Sequence, residues 1–156
     1  MPQNRNLLVS IGLLCFALVG AALYLQHVKD LLPCPLCVIQ RYAYLFTGAF
    51  CLIGASVRKP RVWNALALAS ALVGLGYVIK HLWVLAHPGM SCGIDPMETF
   101  LNKIPTATYL PWLFQADGLC EDALDKLFGL SIPQWSAVGF VVVTATLAYA
   151  LLRRRQ

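Results

Sequence analysis

The chain has 156 residues, 59% hydrophobic and only 12% charged, with a formal net charge of +5 and a mean hydropathy of +0.68. Soluble domains are about half apolar and about a quarter charged, so an ordinary soluble fold is excluded and the surplus apolar surface belongs in lipid. The length suits one domain, the hydrophobicity excludes disorder, and the scattered basic residues form no patch for a nucleic acid.

A charge at the bilayer centre is costly, so charges bracket the spans. Between Arg5 and Lys29 a helix is expected over about residues 7–25. Arg5 ahead of an apolar run, with Gly20, Ala21 and Ala22 beyond it, also fits a signal peptide. The run is long for that, and three more apolar stretches follow. The second helix is expected over about 38–57, where Val38, Ile39 and Gln40 extend the charge-free stretch from Tyr42 to Val57. The third is expected over about 62–80, ending at Lys80, and the fourth over about 132–152. Ser131, Pro133 and Gln134 there fit a capping box with proline in the first turn, and Trp135 suits the headgroup level. The runs are continuous and do not alternate, which favours helices over a barrel. The expected fold is an all-α membrane protein, residues 1–156 forming a single integral membrane domain built as a four-helix bundle.

One set of helix ends carries Arg5, Arg58, Lys59, Arg61, Arg153, Arg154 and Arg155 and no acid, whereas all seven acidic residues lie on the other side. By the positive-inside rule both termini are cytoplasmic. Two loops then face outward, about residues 26–37 and 81–131. Tyr109, Leu110, Trp112, Leu113 and Phe114 in the longer one are expected to lie along the membrane surface.

Of six cysteines, Cys34, Cys37, Cys92 and Cys120 fall outside, and Cys15 and Cys51 within spans, where a thiol acts as a small hydrophobe. Cysteines facing an oxidising compartment favour disulfides, and four of them permit three pairings. Cys34-Pro35-Leu36-Cys37 has the spacing of a dithiol redox pair. Pro35 suits the first position of a helix, making Cys34 its N-cap and setting Cys37 in the first turn, where the helix end stabilises a thiolate. Arg41, four residues on from Cys37, lies on the same face and roughly 6 Å deeper. It reads either as a snorkelling anchor or as a cation for an amphiphilic electron acceptor. Zinc is disfavoured because Cys92 and Cys120 make no second close pair, and c-type haem because Val38, not histidine, follows the pair. No metal is expected.

The segments Gln26-His27-Val28, Cys34-Pro35-Leu36-Cys37 with Gln40-Arg41, then Cys92, Gly118-x-Cys120 and Pro133-Gln134-Trp135 together resemble the disulfide bond formation protein B (DsbB) family of the bacterial inner membrane. The resemblance covers nearly the whole chain. It implies a thiol:quinone oxidoreductase with Cys34, Cys37, Cys92 and Cys120 catalytic and periplasmic. Cys92 and Cys120 would form the loop disulfide, and Cys92 would take the mixed disulfide with a DsbA-type thioredoxin-fold oxidase. Cys120 would exchange with Cys34, and Cys37 would pass two electrons to ubiquinone or menaquinone. Arg41 and His81, the latter expected just past the third helix, would bind that quinone. Physical chemistry favours the same order: a soluble partner reaches only a mobile loop pair, whereas a quinone stays in lipid beside the pair at its boundary. A vitamin K epoxide reductase-like enzyme has its CxxC after the loop pair, and here it comes first. The rival outside enzymology is a membrane protein with two structural disulfides.

Overall fold

The structure, a computed structural model, describes residues 2–87, 94–118 and 126–153. In chain order the elements are α1 (Pro2–Lys29), α2 (Pro35–Ser56), α3 (Pro60–Ala86), α4 (Ile94–Lys103), α5 (Pro105–Tyr109), α6 (Pro111–Phe114), β1 (Lys126–Leu127), β2 (Leu130–Ser131) and α7 (Ile132–Arg153). Helices α1, α2, α3 and α7 are long and apolar enough to cross a membrane. Short joints after α1 and α2 set neighbours antiparallel, so the end of α1, the start of α2, the end of α3 and the start of α7 share one end of the bundle.

Three helices outrun the ranges expected for them. α1 continues to Lys29 and stops at Asp30, whose φ of 51° is the left-handed conformation that closes a helix. α2 begins at Pro35 rather than Val38, because proline fits a first turn. α3 passes Lys80 and ends at Ala86, just short of the residue before Pro88, where helix is disfavoured. A long lysine side chain can leave the apolar layer without ending the helix that carries it.

Lipid gives helices no hydrophobic reason to associate, so close packing through small residues takes over. The buried face of α3 runs Asn64, Ala67, Ala71, Gly74, Val78, His81 and Val84, one continuous helical stripe. A Cβ at Gly74 would run into the Phe140 ring of α7, and that ring stacks on Tyr44 of α2 at 3.9 Å. α1 adds Leu8, Ile11, Cys15 and Val19, and both Cys15 and Cys51 are fully buried in this core. α1 packs along α2 and hardly touches α7.

The connection after α3 folds back over the start of α2. Asn102 clasps the backbone of Ala116, accepting from its N–H at 2.9 Å and donating to its carbonyl at 3.1 Å. Tyr109, Leu110 and Trp112 are exposed, as a surface-lying segment requires, but Phe114 is buried and stacks on Tyr42 at 4.3 Å, with Leu113 partly buried beside it. The helical turn of α6 points this end of the segment inward. A two-stranded antiparallel ribbon, β1 with β2, precedes α7 and was not expected from the sequence. Its turn residues Phe128 and Gly129 both have positive φ, 54° and 89°, as a tight two-residue hairpin demands. Ser131 N–H then donates to Gln134 Oε1 at 2.8 Å, the backward half of the expected capping box.

Candidate thiol redox site

Cys34 is the N-cap of α2, with extended backbone and Pro35 at the first helical position. Its sulfur accepts the Cys37 N–H at 3.3 Å, one of the donors a helix start leaves unpaired. The turn brings the two sulfurs to 3.0 Å, Cys34 S–H donating to Cys37. That donation, burial and the adjacent Cys37 together push the Cys34 thiol well above its ordinary range, so it keeps its proton.

His81 approaches from the buried stripe of α3 and is fully enclosed. Its Nε2 lies 3.8 Å from Cys34 Sγ and its Nδ1 lies 4.0 Å from Cys37 Sγ. The three donors fall within 4.8 Å of one another, near enough for one soft cation. The sulfurs, however, face opposite ring nitrogens, and one imidazole offers a metal only one of them. The arrangement is that of hydrogen bonds, and the expected position of His81 in a loop is corrected to the interior of α3.

On α2, Cys37, Gln40, Arg41 and Tyr44 follow one helical face, and all four line a cavity of about 510 Å³. Its other walls are α1 from Leu18 to Gln26, the joint from Asp30 to Pro33 and the start of α7 from Ile132 to Ser136. α1 and α7, which both line it, make few contacts with each other. His81 is not among its lining residues and meets it through Gln40 and Cys37. Arg41 is buried, not snorkelled, and donates from Nη1 to the Leu113 carbonyl at 2.9 Å. Gln26 Nε2 donates to the next carbonyl back, Trp112, at 3.2 Å. The cavity thus suits a ring with an apolar tail, with Arg41, Gln40 and Cys37 among its polar groups beside Gln26, Asp30, Tyr44 and Ser136.

Cys92 and Cys120 lie outside the described residues. The chain is followed to Gly118, two residues before Cys120, and there its N–H donates to the Pro33 carbonyl at 3.1 Å, immediately ahead of Cys34. Sequence reasoning assigned no role to Gln40, although it stands in the matched motif, and did not find Ser136 or Tyr44.

A dithiol at the end of an apolar bundle, Cys34 buried and Cys37 partly so, backed by an imidazole and bordering a largely apolar cavity, places the protein among membrane thiol–disulfide proteins. Comparison narrows the class. The family model of the disulfide bond formation protein DsbB matches residues 4–150. "Disulfide bond formation protein B" of Herminiimonas arsenicoxydans is 46% identical, over 99% of both chains. The proteins of the same name from Cupriavidus necator and Ralstonia nicotianae are each 44% identical, over 99% of this chain and 96% and 98% of theirs. The chain belongs to the DsbB family, and disulfide oxidoreductase activity goes with that membership.

Proposed function

We propose that the protein is a thiol:quinone oxidoreductase of the bacterial inner membrane. It reoxidises a DsbA-type thioredoxin-fold dithiol oxidase in the periplasm and passes the electrons to ubiquinone or menaquinone. The observation that carries this reading is the position of Cys37, which belongs at once to the dithiol and to the wall of the 510 Å³ cavity. A quinone there would be held by Arg41 and Gln40, with its tail between α1 and α7. When bound it supplies a two-electron, two-proton acceptor, matching what a dithiol releases on closing to a disulfide.

The chain's own groups order the transfer. Reduced partner attacks the loop disulfide at Cys92, and the freed Cys120 thiolate attacks Cys34 when Cys34 and Cys37 are joined as a disulfide, forming the Cys120–Cys34 bond as the Cys34–Cys37 bond breaks. The contact of Gly118 with Pro33 supports that second exchange, because it carries the loop to the Cys34 turn. Cys37 is then the leaving sulfur, already on the cavity wall. The basic cluster at the far ends of the helices, Arg58, Lys59 and Arg61 among it, supports cytoplasmic termini and a periplasmic site.

The test is purified protein mixed with a quinone and a reduced thioredoxin-fold partner, following quinone absorbance. Wild type should turn over and Cys37→Ser should not. Normal turnover by Cys37→Ser sinks the assignment of Cys37 to the quinone.

A further inference from the structure

Three helices contribute to a hydrogen-bond chain that a bare dithiol does not need. Ser136 Oγ on α7 donates to Gln40 Oε1 on α2 at 2.7 Å. With its oxygen on the serine, Gln40 turns its nitrogen toward α3, where Nε2 lies 3.4 Å from His81 Nδ1. An amide nitrogen only donates, so Nδ1 offers its lone pair, and a neutral imidazole that accepts at Nδ1 carries its hydrogen on Nε2. That nitrogen faces Cys34 Sγ. The Cys34 hydrogen is committed to Cys37, so the Cys34 sulfur is free to accept from the ring. These links run one way, from Ser136 through Gln40, His81 and Cys34 to Cys37 Sγ, while the longer approach of His81 Nδ1 to Cys37 Sγ at 4.0 Å supplies no hydrogen in this tautomer.

We propose that Gln40 and Ser136 are positioning residues that hold His81 as its Nε2–H tautomer, so that the chain aims successive donors at the CxxC sulfurs and stabilises negative charge on Cys37. The inference deepens the quinone reading and rests on Cys37 being the sulfur that hands on electrons. Gln40 and His81 are 5% and 0% exposed, and in so dry a place fixed dipoles act more strongly than in water. The opposite polarity is available to the same atoms. If Gln40 presented its oxygen to His81, the ring hydrogen would move to Nδ1, and Nε2 would meet Cys34 as a bare acceptor. The amide of Gln40 therefore sets which sulfur the imidazole faces as a donor, Cys34 through Nε2–H at 3.8 Å or Cys37 through Nδ1–H at 4.0 Å, where the Gln40 oxygen would compete for the same hydrogen.

The experiment reads the ring nitrogens of 15N-histidine-labelled, reduced protein in micelles, without quinone or partner. The chain has three histidines, so His27→Gln and His87→Gln variants assign the signals. Wild type should show a single His81 tautomer with hydrogen on Nε2. In Gln40→Glu the carboxylate can only accept, so the hydrogen should move to Nδ1, and turnover should fall roughly ten- to hundredfold, the scale of a misplaced proton-handling group. Ser136→Ala should shift part of the population the same way, and Ser136→Thr, which restores a hydroxyl, should return both tautomer and rate. This second pair carries the test if Gln40→Glu does not fold. A wild-type ring with hydrogen on Nδ1, or a spectrum indifferent to both Gln40→Glu and Ser136→Ala, overturns the inference. Because the spectra need no electron transfer, they stand even where Cys37→Ser turnover refutes the quinone reading.

Discussion

The backbone N–H of Gly118 donates to the carbonyl oxygen of Pro33 at 3.1 Å, fastening the long connection beside the turn that presents Cys34. Gly118 is buried, and a Cβ on it would strike the carbonyl of Leu32. Only glycine lets two backbones come so close. Gly118→Ala should loosen this contact by about 1–3 kcal/mol. Partner-driven turnover at saturating quinone should then drop roughly tenfold, with quinone KM unchanged. Undiminished turnover would separate the contact from the exchange between Cys120 and Cys34.

Arg41 has two duties, wall of the cavity and tether of the Leu113 carbonyl. A hydrogen bond from a charged group is worth about 1.5–3 kcal/mol, so Arg41→Ala should raise quinone KM at least about tenfold. Arg41→Lys keeps the charge but not the planar fork of donors, and should recover only part of the loss. Steady-state KM for the three proteins decides; equal values would return Arg41 to a purely structural tether.

Asn102 satisfies both backbone groups of Ala116, which is fully buried. Asn102→Ala leaves a buried N–H and C=O unpaired, at about 1–3 kcal/mol each. Asn102→Asp keeps the acceptor but turns a carboxylate oxygen toward the carbonyl. Both variants should melt earlier than wild type in detergent, as circular dichroism would record. An unaltered melting curve for Asn102→Ala would show the clasp to be dispensable.

Cys92 is tested chemically. With a thioredoxin-fold partner, the wild-type chain should form a mixed disulfide visible on non-reducing gels, and Cys92→Ala should not. A complex that survives the substitution assigns the partner to another cysteine.

The spans and the Cys34 cap were legible because both are local signals, a charge-free run and a proline between two cysteines. The charge of Lys80 hides His81 from a reading by charge-free runs, although the buried register Ala67, Ala71, Gly74, Val78 leads straight to residue 81. The link from Ser136 through Gln40 to His81 was not legible at all. It joins residues 96 and 41 positions apart, and no spacing rule within one helix connects them. Arg41 was recognised as a charge needing a reason, but the Leu113 carbonyl that supplies one comes from a segment read as lying wholly on the membrane surface.

On the proposed quinone reading, the sparse contact between α1 and α7 leaves the cavity that both line without a full fourth protein wall. In a bilayer that wall is acyl chain, so occupancy follows the mole fraction of acceptor among lipids and not its concentration in the tube. Diluting the protein into twice the detergent at constant total quinone should double the apparent KM expressed per volume and leave it fixed when expressed per amphiphile. On that reading site and solvent are continuous, and the composition of the membrane becomes part of the enzyme's specificity.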